Sequence, residues 1–290
     1  MKDTTEAPFR VVRPRRPSPL VFAAAHAGRL YPAGARSALQ ASEATLRSLE
    51  DPLVDQLIAG ATTFGVATIV CDVARAYVDV NRDPAEIDPA LLDDERQGRE
   101  TPRTRAGLGV VPRLGGDAKA LHRTRLSPGE IEHRIMTVHR PYHAALADLM
   151  REAREAFGLA LLIDWHSMPS AAAITEARRG GKRPEIVIGD RHGQSTDADL
   201  SGALRAAFEG LGRRVVMNRP FAGGYTTQAW GRPAEGLHAL QIEIDRSLYL
   251  DETTLEPGAG FDALRAEVGP IAERLLAVLE TKKAAPESAA

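Results

Sequence analysis

Residues 159–169, LALLIDWHSMP, constrain this chain more than any other stretch. Five apolar residues, 159–163, succeed one another without a polar break. That is the pattern of a strand covered on both faces, as in a parallel sheet. The run then gives way to Asp164, Trp165, His166 and Ser167. Ligands of open α/β sheets gather beyond the carboxyl ends of such strands. Residues two apart on a strand share a face, so Asp164 and His166 point the same way. An imidazole beside a carboxylate is the arrangement of a metal-bound or catalytic histidine. A strand terminus carrying solvated polar residues is the plain alternative.

The chain has 290 residues, 43% of them hydrophobic, enough for a sizeable core. A net charge of −2 supplies no global field toward nucleic acid or an anionic membrane, so neither is expected as a partner. Cys71 is the single cysteine, which excludes an internal disulfide; its apolar setting reads as a buried strand thiol. The N-terminus lacks the apolar stretch of a secretory signal, and no apolar run is long enough to span a bilayer. A cytoplasmic location is the default expectation. Residues 1–17 read as a flexible arm, 284–290 as a flexible tail, and 18–283 as a single catalytic domain.

Between those ends, strand and helix patterns alternate. Strands are expected at 19–26, 65–73, 74–81, 159–164, 185–190, 214–218 and 237–245. Residues 37–49, 127–157, 197–209 and 261–279 read as helices. Asp51-Pro52 reads as the N-cap and first position of another, running to residue 59. Ser127, Pro128 and Glu130 form a helix start, and Pro141 is expected to kink or split that helix. Residues 82–127 are a long loop region. The strands at 65–73 and 74–81 leave no room for a crossover and are expected to pair antiparallel. The fold class is therefore α/β, a three-layer α/β/α domain with a mixed central sheet.

Chemistry gathers at the strand ends. His26 closes the first strand, and Ala27-Gly28 after it permits close backbone approach. Asp51 reads as a helix cap, with metal ligation compatible. Asn81-Arg82-Asp83 ends another strand, and Arg82 suits a carboxylate clamp or oxyanion donor; pairing with Asp79 or Asp83 is the structural alternative. Glu243 lies within LQIEID, sharing a face with Gln241 and Asp245. Half-buried, it suits general acid/base work; the alternative is the solvated face of an edge strand. His139 and His143 share a helix face, but no Glu comes directly after the first, so the metalloprotease motif fails. They read as packing or rim residues, His143 being the one expected at substrate. Residues 218–236 form a Gly- and Pro-rich loop with Gly223, Gly224 and Arg232, read as a substrate lid or an ordinary hairpin. P-loop, dinucleotide and G-x-S-x-G signatures are absent. Two histidines, an acid, an arginine and a glutamate together describe a mononuclear zinc hydrolase.

The segments HAGRLYP (26–32), LEDPLVDQL (49–57), AYVDVNRDP (76–84), RAGLGVVPRLGG (105–116), RPYHAAL (140–146), DWHSMP (164–169) and FAGGYTTQAWGRPAEGLHALQIEIDRSLYLDE (221–252) resemble the N-formylglutamate amidohydrolase family. The resemblance implies a phosphorylase/hydrolase-like α/β fold related to zinc carboxypeptidases and aspartoacylases. It implies metal-dependent cleavage of N-formyl-L-glutamate to formate and L-glutamate, a late step of histidine breakdown. His26 and His166 match the family's metal-binding histidines, with one Zn2+ expected. The related carboxypeptidases carry a Glu three residues after the first His, where this chain has Arg29. Asp51 is the choice for the third ligand, with Glu50 the alternative. Asp164 becomes the partner behind His166. Asn81-Arg82 resembles the pair that carboxypeptidases use on substrate, and Glu243 their general base. Position 27 is Ala where many relatives have Ser, Trp165 stands where Cys is common, and Trp230 where Tyr is expected. A substrate with two carboxylates calls for at least two cations or helix N-termini, and Arg82, Arg232, Arg105 and Arg113 are the candidates.

Overall fold

The computed structural model describes residues 7–180 and 182–284. Residues 1–6 of the expected arm and 285–290 of the expected tail lie outside the described residues. Two compact units form. One takes residues up to 10, 25–51 and 70–146; the other takes 11–24, 52–69 and the chain from 147 onward.

Seven strands hydrogen-bond into one sheet. They are β1 (Phe9–Val12), β2 (Leu20–Ala24), β3 (Ala67–Cys71), β4 (Ala160–Met168), β5 (Ile186–Gly189), β6 (Val215–Met217) and β7 (Leu237–Asp245). Their order is β1-β3-β2-β4-β7-β5-β6. β4 runs parallel to both β2 and β7, β5 is antiparallel to β7, and β6 is parallel to β5. The sheet is mixed and the fold is α/β, in agreement with the alternation of patterns. Part of the expected arm is strand β1.

In the second unit, β2, β4, β5 and β7 are buried at every position. This is why β2, β5 and the first half of β4 are apolar without a break, whereas β7, equally covered, interleaves polar with apolar residues. The helix Phe261–Ala284 packs against the helices Val54–Ile58 and Ala198–Gly210. Trp165 stacks obliquely on Phe22 and Phe208, with ring centroids 5.2 and 6.4 Å away. Its alternation along β4 directs it away from Asp164 and His166.

The first unit departs most from expectation. Residues 74–81 form turns and irregular chain, not a strand, so the antiparallel pair expected at 65–81 does not exist. The mixed character comes instead from β5 beside β7. The physical reason lies in hydrogen bonding. Backbone groups away from water need partners, and here side chains supply several. Arg134 Nη1 donates to Tyr77 O (3.1 Å), His143 Nε2 to Val80 O (2.7 Å) and His139 Nε2 to Arg82 O (2.8 Å). Asp79 N donates to Val110 O (2.7 Å).

Ser127 does cap its helix, its Oγ accepting from Glu130 N at 3.2 Å. Helix continues from Pro128 to Phe157, with a π-helical turn at Ile135–His139 just before Pro141. Proline removes a backbone donor and crowds the preceding turn, and a π-turn is one way a helix absorbs such a break. Gly28 also has a different purpose from the one expected. A Cβ there would stand 2.4 Å from the Asp72 carbonyl carbon, so the close approach is to the chain's own backbone.

Candidate metal centre

β4 and β7 are in register through Asp164↔Gln241 and His166↔Glu243. Register partners share a face, so Asp164, His166, Gln241 and Glu243 form one polar patch across the two strands. His166 and Asp164 lie inside β4, not beyond it, because the strand continues to Met168. β7 is an interior strand and Glu243 is buried, which removes the reading of a solvated edge. Gln241 Nε2 donates to Glu243 Oε1 at 2.9 Å and so orients the carboxylate. Asp245, third on that face, is taken by Arg183 Nη2 at 2.6 Å.

His166 Nε2 stands 2.9 Å from Asp164 Oδ2. The two are at ion-pair distance, although neither Asp164 oxygen has a donor aligned as a hydrogen bond. On the parallel neighbour, Ala23 of β2 is the register partner of Asp164. The chain leaving β2 therefore carries His26 out at the same end as His166. His26, Asp51 and His166 are all buried, and each offers one ligand atom, all within 4.8 Å of one another. Asp51 reaches this place because it does not cap a helix. The helix Val54–Ile58 begins after Leu53, while Asp51 N donates to His26 O at 2.9 Å. Glu50, the alternative acid, is buried between Arg47 (3.2 Å) and Arg29 (3.6 Å). Burial pushes its pKa up, against the opposing pull of Arg47 and Arg29.

The donor set suits zinc, which takes imidazole nitrogen and carboxylate oxygen. His26 Nε2 donates to Asp79 Oδ1 at 2.8 Å, which turns Nδ1 toward Asp51 Oδ2 at 3.3 Å. A ligating histidine is ordinarily fixed in this way through its second nitrogen by a carboxylate.

Asp79 is the residue that sequence reasoning missed in this role. It is fully buried, and burial opposes its ionisation, but Arg75, His26 and Arg82 outweigh that and hold its carboxyl well below the usual range. Arg75 Nε donates to Oδ2 at 2.9 Å, and Asn81 N to Oδ1 at 2.9 Å. The signal is present in the sequence as Asp79 two residues before Asn81-Arg82, but locally it reads as no more than an ion pair. Arg246 is also missed by sequence reasoning. It is buried and its Nε donates to Ser167 Oγ at 3.2 Å.

The four candidate cations separate cleanly. Arg105 pairs with Glu100 at 3.2 Å, Arg113 with Asp88 at 2.7 Å, and Arg232 with Glu235 at 3.2 Å. Arg232 bridges to Leu237, the first residue of β7, six residues before Glu243 and thus about 20 Å away along the strand. Arg82 differs. It is buried, its Nη2 is 3.6 Å from Asp79 Oδ2, and its Nε has no hydrogen-bond partner among the described residues. Burial lowers its pKa, which Asp79 partly restores. Asn81 is buried beside it. The rings of His139 and His143 pack at a tilt of 34°, centroids 4.6 Å apart, and each donates a ring N–H to the backbone of 80–82. Burial lowers the pKa of His139, offset in part by its bond to Arg82 O. Gly224 precedes the short helix Tyr225–Trp230, and its carbonyl accepts from Thr227 Oγ1 at 2.9 Å.

A family model described as N-formylglutamate amidohydrolase matches residues 18–250. An N-formylglutamate deformylase of Pseudomonas putida is 32% identical over 240 residues, 81% of this chain and 83% of that protein. Another N-formylglutamate deformylase, of Pseudomonas aeruginosa, is 30% identical over 269 residues, 89% of this chain and 93% of that one. The crystal structure of an N-formylglutamate amidohydrolase from Ralstonia eutropha superimposes with a TM-score of 0.87 at 29% identity, covering 96% of this chain and all of that one.

Proposed function

The chain belongs to the N-formylglutamate amidohydrolase family and is a hydrolase acting on an amide bond; from that premise we propose that it cleaves N-formyl-L-glutamate to formate and L-glutamate, a late step of histidine breakdown. The observation that carries the mechanism is the meeting of His26, Asp51 and His166 while Glu243 stands in register with His166. These three residues would hold one zinc ion. When bound, zinc supplies Lewis acidity and lowers the pKa of water. A small-molecule substrate and a cytoplasmic site of action are part of this proposal; no helix among the described residues is long and apolar enough to cross a membrane.

Glu243 takes a proton from the attacking water and later gives it to the departing amine, so one carboxylate serves as base and then acid. Gln241 holds Glu243 in place during both transfers. Asp79 and Asp164 fix the two imidazoles. Arg82 offers its buried N–H groups to the oxygen that gains charge as the formyl carbon becomes tetrahedral, with Asn81 beside it on the substrate.

Formate release from N-formyl-L-glutamate tests this reading. The expected outcome is that wild-type protein carries about one zinc per chain and releases formate, and that chelation abolishes release until metal is restored. His166→Ala loses both metal and turnover. Release of acetate from N-acetyl amino acids without release of formate would transfer the enzyme to another acyl class. Turnover unaffected by complete metal removal would sink the mechanism.

A further inference from the structure

The chain beyond β5 carries a backbone anomaly that the mechanism does not use. Arg191 and His192 both have positive φ, +53° and +58°, and Gly193 comes next at +81°. Two successive non-glycine residues in the left-handed region persist where their surroundings over-determine them. The surroundings here do so. Arg191 N donates to Ala222 O at 2.8 Å. Asn218 Oδ1 accepts from Asp190 N (3.1 Å) and His192 N (3.3 Å), while its Nδ2 donates to Asp190 Oδ1 at 2.8 Å. Asp190 Oδ1 also accepts from Gly193 N at 2.9 Å. The acid adjacent to Arg191 is therefore already engaged.

The position of this turn is set by register. Gly189 is the β5 partner of Gln241, which holds Glu243. A Cβ on Gly189 would point to the same face as those two side chains and would stand 2.6 Å from the Ala222 carbonyl carbon. The segment at 222–223 thus lies over the face that carries Glu243. Arg191 leans on it, since a Cβ on Gly223 would stand 3.1 Å from Arg191 Cγ. The side chain is partly buried, yet its guanidinium makes no hydrogen bond or ion pair among the described residues. Its neighbours in the same unit are engaged: Arg183 with Asp245, Arg219 with Glu176 and Arg246 with Ser167.

We propose that Arg191 reads the side-chain carboxylate of the N-formyl amino acid, and so sets the preference for an acidic substrate. The proposal rests on the function proposed above. A strained arginine without a counter-ion, pinned over the face of the general base, is matched by a substrate with a second carboxylate. Guanidinium suits that group through paired N–H donors.

The test compares N-formyl-L-glutamate with N-formyl-L-glutamine, which has the same length and no charge. Arg191→Gln should lower kcat/KM on the glutamate substrate on the order of 10- to 100-fold, chiefly through KM. On the glutamine substrate the same variant should stay within about threefold of wild type. Arg191→Lys should recover part of the loss on the glutamate substrate alone, and its selectivity ratio remains readable even if overall activity drops. Equal losses on both substrates, or none on either, would overturn the assignment and leave the deformylase reading intact. Wild-type protein that binds zinc but releases formate from neither substrate would overturn the deformylase reading, and the assignment of Arg191 with it.

Discussion

The β4–β7 strand pair and the segment 74–82 both carry candidate site residues, but they are held by opposite means. In the strand pair, backbone hydrogen bonds fix the register, and five polar side chains share one face as a result. Along 74–82, Arg134, His139 and His143 satisfy backbone carbonyls that no strand ladder reaches. The strand pair positions its chemistry through the backbone, while the segment depends on the side chains around it. Substitutions should therefore act locally in the first region and propagate in the second.

The sharpest test of the strand pair is Glu243→Gln. The variant keeps the shape of the side chain and can still meet Gln241, so the strands and His166 should not move. We expect turnover to fall about a thousandfold with zinc content unchanged, since a general base contributes about 10²- to 10⁴-fold. Full activity would remove Glu243 from the proton transfers. Loss of zinc together with activity would show that the strand pair does not insulate its residues from one another.

His139→Phe tests the segment. The ring volume is retained while the donor to Arg82 O is lost, leaving a carbonyl unsatisfied next to the candidate oxyanion residue. Such a loss costs about 1–3 kcal/mol, which thermal unfolding would register as a drop of several degrees. Activity should fall about tenfold through misplacement of Arg82, with zinc retained. A variant with lowered stability and unchanged kcat/KM would show that the histidine supports the fold without positioning Arg82.

The same contrast explains what is legible in the sequence. β4 can be read because burial on both faces leaves a continuous apolar run at 159–163 whose polar end stands out, and in β7 Glu243 stands out between Ile242 and Ile244. His166 and Glu243 come from those signals, whereas the mixed sheet is expected from an antiparallel pair at 65–81 that does not form and arises instead from β5 beside β7. Residues 74–81 alternate as a strand does, yet Tyr77 O and Val80 O are met by side chains more than 50 residues away, which no local pattern encodes. Asp51 is legible as an acid near the site but reads first as a cap, because Asp-Pro is a common helix start and the left-handed Leu53 that delays the helix leaves no mark in sequence. Arg232 is drawn in by its Gly-rich surroundings. Only the course of β7 shows that it lies at the strand's other end.

Acid stability offers a smaller measure of the difference, and His122 carries it. It belongs to the same unit as 74–82 and is buried, its Nε2 donating to Pro112 O at 2.9 Å. Burial, with the charge of Arg134 second, pushes its pKa down to about 4, against about 6.5 for a free imidazole. At pH 7 the ring is neutral in the folded chain and mostly so in the unfolded one, so it adds little pH dependence there. Between pH 6.5 and 4 the unfolded chain takes up a proton that the folded chain refuses, and stability falls with pH. Each unit of pKa difference is worth about 1.4 kcal/mol, so the full window amounts to about 3 kcal/mol. Chemical denaturation of His122→Gln at pH 7 and pH 5 should show a shallower loss on acidification than wild type. If the two slopes coincide, the proton uptake belongs to other groups, and this unit's dependence on buried side-chain donors does not extend to its acid stability.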